Sequence, residues 1–173
     1  MTTSDPATGA RLPGMALTWD VRDDVPELEG GIVDHGLGEA NDDAAPLHEV
    51  RRLSCFARLP SGAVVGGAVG RTWGGCCELQ QLWVDVAHRR HGIGTELVRR
   101  FEQRAAARDC TLFYLETFSF QAPAFYESLG YRTATAFRGF PYGIVKYVMT
   151  RHWAPTDRPP VATEGRRGSD PQR

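Results

Sequence analysis

Lysine is almost missing from this 173-residue chain: of its 20 basic residues 19 are arginine, and Lys146 stands alone. A GC-rich coding sequence produces such a skew, and no mechanism is read from it. A surplus of charge is missing too. Twenty basic and 21 acidic residues leave a formal net charge of −1, which provides no basic footprint and argues against a nucleic-acid partner. No apolar run approaches the roughly 20 residues that span a bilayer, and the first residues lack the basic-then-apolar order of a secretion signal. No membrane partner is therefore expected, and a cytoplasmic location is. The four cysteines, Cys55, Cys76, Cys77 and Cys110, show no C-x-x-C spacing, and the adjacent Cys76 and Cys77 are poorly placed to pair. They read as reduced thiols that pack as small hydrophobes, with no neighbouring base to make either a nucleophile. His35, His48, His88, His91 and His152 form no ligand spacing with them, so no metal site is expected. With 42% hydrophobic residues, the chain can bury one sizeable core. A single domain is expected over residues 15–153, between a disordered leader at 1–14 and a flexible tail at 154–173.

What is present is concentrated in residues 78–108. The apolar run Leu82-Trp83-Val84 leads into Arg89-Arg90-His91-Gly92-Ile93-Gly94-Thr95 and then into a long amphipathic pattern. This is strand, basic glycine turn and helix. Glycines at alternate positions let the backbone approach a ligand, and a helix N-terminus offers unpaired N–H donors with partial positive charge. Two arginines beside them supply charge-assisted donors. A phosphate site and a turn whose glycines only relieve strain both fit.

Read in order, Leu17–Val21 has strand character, and Asp23 and Asp24 can cap a weak, glycine-containing helix entered through Pro26. Its apolar side is Leu28, Ile32, Val33 and Leu37. An acidic loop over Asn41–Pro46 follows, where a substrate could enter. Leu53–Leu59 and Ala63–Thr72, separated by Pro60-Ser61-Gly62, read as a hairpin, and Glu78–Val86 as a third consecutive strand. Ile93, Leu97, Val98, Phe101 and Ala105 share one face of the helix after the glycine turn. Thr111–Thr117 is then a buried strand, parallel to the one before the helix because a crossover joins them. A short helix with Pro123 near its start and Gly130 past its end precedes two final strands, Tyr131–Phe137 and Ile144–Arg151. The architecture is mixed α/β: about seven strands, with a crossover helix after the fourth. The Ile144–Met149 strand could form a homodimer contact.

Two motifs in fixed order, Arg89-Arg90-His91-Gly92-Ile93-Gly94 and, further on, Ala122-Pro123-Ala124-Phe125-Tyr126-Glu127-Ser128-Leu129-Gly130-Tyr131, resemble those of the GCN5-related N-acetyltransferase (GNAT) superfamily. The order of elements from residue 17 to 151 agrees. The resemblance implies acetyl-CoA as co-substrate and acetyl transfer to an amine through a direct ternary complex. It implies that backbone groups of Leu82, Trp83 and Val84 hold the pantetheine arm by strand addition, and that the pyrophosphate meets the loop from Arg89 through Arg90, His91, Gly92, Ile93 and Gly94 to Thr95. Arg89 either contacts the cofactor or orients the loop. Many relatives carry asparagine where Ser119 stands here, and a serine reaches less far.

An amine attacks only when neutral, and free alkyl amines have pKa values near 10, so a base or water chain is required. Glu78 matches the position of the family's glutamate base, Glu116 at the exit of the next strand competes with it, and either could be a solvated carboxylate. Tyr126 matches the general acid that protonates the leaving thiolate; a tyrosine there could also be core. Asp42, Asp43 and Glu78 would attract a cationic small molecule, polyamine-like or an antibiotic amine, and a peptide amine is compatible. The rivals are a non-catalytic acyl-CoA sensor on the same fold and a different nucleotide binder.

Overall fold

The computed structural model describes residues 17–153; the leader expected over 1–14 and the tail over 154–173 lie outside the described residues. The chain divides into two compact units at Ala45/Pro46.

In the first unit, helix α1 spans Glu27–Ala44. Its start differs from expectation: Pro26 is the N-cap and no side chain caps it, because the Asp24 carboxylate is taken by Arg22, whose Nε donates at 2.8 Å. Its end differs as well. The helix continues through Asn41, Asp42 and Asp43, which were expected in a loop, and stops where Pro46 forces Ala45 into an extended conformation (φ −151°, ψ 149°). Leu17–Val21 is not a strand. Strand propensity reflects fit to a pleated, half-buried surface, and here Trp19 and Val21 are 85% and 96% exposed.

The second unit holds a six-stranded sheet: β1 (Arg51–Arg58), β2 (Val64–Trp73), β3 (Cys76–Val84), β4 (Leu112–Phe118), β5 (Arg132–Arg138) and β6 (Val145–His152). The spatial order is β1-β2-β3-β4-β6-β5. Among the described residues the sheet thus has six strands rather than seven, and the crossover helix α2 (Ile93–Ala106) follows the third strand rather than the fourth, since Leu17–Val21 does not pair. The expected parallel pair is β3 with β4; every other neighbouring pair is antiparallel. A short helix α3 (Pro123–Ser128) connects β4 to β5. β6 lies between β4 and β5 with both edges paired, so it is not open to a second copy by strand addition.

The core forms where α2 covers one sheet face. Leu97, Val98, Phe101 and Ala105 meet Ala68, Cys77, Leu79, Phe113, Leu115 and Met149, all buried. Burial pushes the Cys77 thiol up to about 12, and Cys110 is buried as well, whereas Cys76 is exposed. One residue re-phases β3. Gly70 pairs with Leu79 but Val69 with Gln81, which leaves Gln80 as a bulge. The bulge needs a glycine opposite: a Cβ at Gly70 would run into the Glu78 carbonyl and come within 2.9 Å of the Phe101 ring. Before the bulge Cys77 and Leu79 face the core; after it Leu82 and Val84 do.

A buried polar group fixes α2 to β6. Glu102, 2% exposed, accepts from the Tyr131 hydroxyl at 2.8 Å and from Arg151 Nη1 at 2.5 Å. Burial, the neighbouring carboxylate and the bond to it push the Tyr131 phenol well above the ordinary tyrosine range. Tyr131→Phe withdraws one donor from a buried carboxylate and is expected to cost about 1–3 kcal/mol, read as a lowered urea midpoint at unchanged slope.

Candidate active site

The parallel ladder between β3 and β4 is short. Its pairs run from Cys76 with Leu112 to Leu79 with Leu115 and go no further, although β3 continues to Val84 and β4 to Phe118. Beyond Leu79 the β3 edge that faces β4 has no strand partner among the described residues. A cleft of about 830 Å³ opens there, lined by Leu79 to Val84 on one side and Glu116 and Thr117 on the other, a size typical of small-molecule sites.

The glycine turn closes one end of this cleft. Arg90 and Gly92 both take positive φ (64° and 77°), which reverses the chain between β3 and α2; Gly92 does so without strain, having no Cβ. Gly92 is the N-cap of α2, and the first intrahelical bond runs from the Glu96 N–H to the Gly92 carbonyl. The N–H groups of Ile93, Gly94 and Thr95 therefore have no partner within the helix, which makes a donor cluster suited to an anion. Arg89 donates from Nε to the Val84 carbonyl at 2.9 Å, so its guanidinium ties the loop to the strand end. Glu96 is held by Arg99 and Arg100 on the outside of the helix, and those bonds lower its carboxyl to about 2.

At the far wall α3 supplies Phe125 and Tyr126, and the turn before it Phe120, Gln121 and Ala122. Tyr126 is 9% exposed, with its ring edge-on to Phe125 and Tyr131 at 5.2 and 5.9 Å. Burial raises its phenol. Gln121 braces the β4 exit by accepting from the Phe118 N–H at 2.8 Å.

Most residues expected at the cofactor meet on this cleft: Leu82, Trp83, Val84, Arg89, Arg90, Gly92, Ile93, Gly94 and Thr95. His91 is not among the lining residues. Neither is Ser119, whose hydroxyl instead accepts from the Val145 N–H at 3.1 Å. The two candidate bases part company. Glu116 lines the cleft and pairs with Lys146 at 2.5 Å. Glu78 lines a separate cavity of about 340 Å³ with Arg71, Trp73 and Tyr114, where Arg71 Nε binds it at 2.6 Å and Gln80 at 3.3 Å. Sequence reasoning missed Gln80, Gln81, His88, Thr117, Phe120 and Gln121 as lining residues; Gln80, Gln81 and Thr117 lie past the end of the parallel ladder, which nothing in the sequence marks.

The geometry agrees with what is known of similar chains. The model of the Acetyltransferase (GNAT) family matches residues 20–131. The chain belongs to this family. The acetyltransferase is 34% identical to the blasticidin-S acetyltransferase of Streptomyces morookaense over 110 residues, which cover 61% of this chain and 81% of that protein. It is 35% identical over 81 residues to an acetyltransferase of Agrobacterium fabrum, covering 47% of this chain and 59% of the other. The crystal structure of an acetyltransferase from Bacillus cereus superposes with a TM-score of 0.67 at 25% identity, covering 78% of this chain and 98% of that one. As a GNAT enzyme the chain takes acetyl-CoA as co-substrate, and the cleft fits that molecule: an unpaired strand edge suits the amides of a pantetheine arm, and the α2 N-terminus suits a pyrophosphate. No helix among the described residues is long and apolar enough to cross a membrane.

Proposed function

We propose that this acetyltransferase transfers acetyl from acetyl-CoA directly to a primary amine of a small molecule, with an antibiotic amine as the first acceptor class to test. One observation carries the reading. The separation of β3 from β4 past Leu79 and Leu115 brings Glu116, Tyr126 and the glycine turn onto one cleft. In this reading the backbone of Leu82 to Val84 holds the pantetheine arm, and the N–H groups of Ile93, Gly94 and Thr95 hold the pyrophosphate, with Arg89 fixing their loop. The thioester supplies an activated acetyl carbon and a thiolate leaving group. Glu116 draws the acceptor ammonium into the cleft and takes its proton; Tyr126 holds a proton for the sulfur. The antibiotic class is supported by the Streptomyces relative, which is named for blasticidin S, and by a carboxylate on the cleft that attracts a cation.

A thiol-release screen tests this. Purified protein with acetyl-CoA is offered blasticidin S, other antibiotic amines, polyamines and peptides. The expected result is saturable turnover in the antibiotic arm and only background with peptides. Turnover confined to peptides would reverse the acceptor class, and none with any amine would defeat the reading.

A further inference from the structure

We propose that Lys146 is itself an acceptor: the enzyme acetylates this side chain from the acetyl-CoA held in the neighbouring cleft. The inference rests on the reading of the cleft given above. Three observations lead to it. Lys146 Nζ lies 2.5 Å from Glu116 Oε2, and Glu116 lines the cleft, so a primary amine of the chain stands beside the carboxylate that receives acceptor amines. The ammonium is also reachable. Its side chain is 28% exposed, it rests over the Phe118 ring at 5.9 Å, and its contact with Glu116 is with a group that is itself half exposed. Finally, it is the only lysine in the sequence, so an acetyl group that leaves the cleft for a side-chain amine has one target.

The step balances. The Lys146 ammonium gives one proton to Glu116, and the neutral Nζ adds to the thioester carbonyl carbon. The new N–C bond forms as the C–S bond breaks; the sulfur leaves with that electron pair and takes the second proton that Nζ loses on becoming an amide. The proton on Glu116 passes to solvent. Acetylation removes the positive charge and with it the ion pair, which leaves Glu116 without its counter-ion on the cleft.

The test incubates the full chain with acetyl-CoA and no acceptor, then reads intact mass and maps peptides, which separates Lys146 from the terminal amine. The expected result is one added acetyl group on the Lys146 peptide, at a rate per chain that does not change when the protein is diluted. Lys146→Arg, which keeps the charge opposite Glu116, is expected to take no label there while acetyl-CoA still raises its melting temperature. An unmodified Lys146 in protein that acetyl-CoA stabilises and that turns over an external amine overturns this inference alone. Equal labelling of the urea-unfolded chain overturns it too, as does a rate that scales with protein concentration. Absence of both stabilisation and turnover removes the reading of the cleft, and this proposal with it.

Discussion

Replacing Tyr126 by phenylalanine is expected to lower kcat by about a hundredfold or more, the usual contribution of a positioned general acid, while acetyl-CoA still raises the melting temperature. The substitution removes a single oxygen. The ring is held by Phe125 and Tyr131, and phenylalanine retains both edge contacts. No hydrogen bond ties the hydroxyl to other described residues, so its loss strands no partner and stability is expected to change by less than about 1 kcal/mol. Direction of titration matters here. Because burial raises the phenol above its ordinary 10, the proton stays in place throughout the neutral and mildly alkaline range, and kcat of the native enzyme is expected to show no falling limb there from this group. Steady-state kinetics across pH, with thermal shift by acetyl-CoA on both proteins, reads all three expectations. An unchanged kcat in the variant would leave Tyr126 as a packing residue.

Tyr126 was legible in the sequence because a proline-to-glycine helix signature surrounds it and a motif precedes it. The β3–α2–β4 unit was legible for a similar reason: a 3.6-residue apolar period between two apolar strands forces a parallel crossover. Three other features were not. Leu17–Val21 has the composition of a strand, but pairing is decided by whether a neighbour offers an edge, and composition does not record that. The second concerns faces. Simple alternation from Glu78 onward puts Leu82 and Val84 on the same side as Glu78. The bulge at Gln80 inverts that phase, so Leu82 and Val84 turn to the core while Glu78 stays opposite with Arg71 and Trp73. A one-residue slip moves every side chain across the sheet, and the only sequence trace of this one is Gly70. Where the β3–β4 ladder ends was likewise invisible, since register is a property of two strands together. That ending is what separates the two candidate bases.

Glu116→Gln is accordingly expected to reduce kcat/KM for the acceptor by about a hundredfold at neutral pH, whereas Glu78→Gln changes it by no more than a few fold. The reason is position. Glu116 shares the cleft with Tyr126 and the glycine turn, while Glu78 lines another cavity. The Glu116–Lys146 pair is partly exposed, 53% and 28% at the two side chains, so losing it costs little stability, within about 1 kcal/mol. A pH profile taken at low and at high salt separates a base from a residue that merely attracts the acceptor. An alkyl ammonium with pKa near 10 releases its own proton to solvent as pH rises, so a variant lacking the base regains rate towards that pH and its deficit narrows. Loss of electrostatic attraction alone gives a deficit that also shrinks at high salt, because screening weakens the native enzyme's advantage. The expected outcome is a deficit that narrows with alkaline pH and shrinks only in part at high salt, since Glu116 both attracts the ammonium and takes its proton. A Glu78→Gln variant that shows this behaviour instead would move the base to the cavity lined by Arg71 and Tyr114.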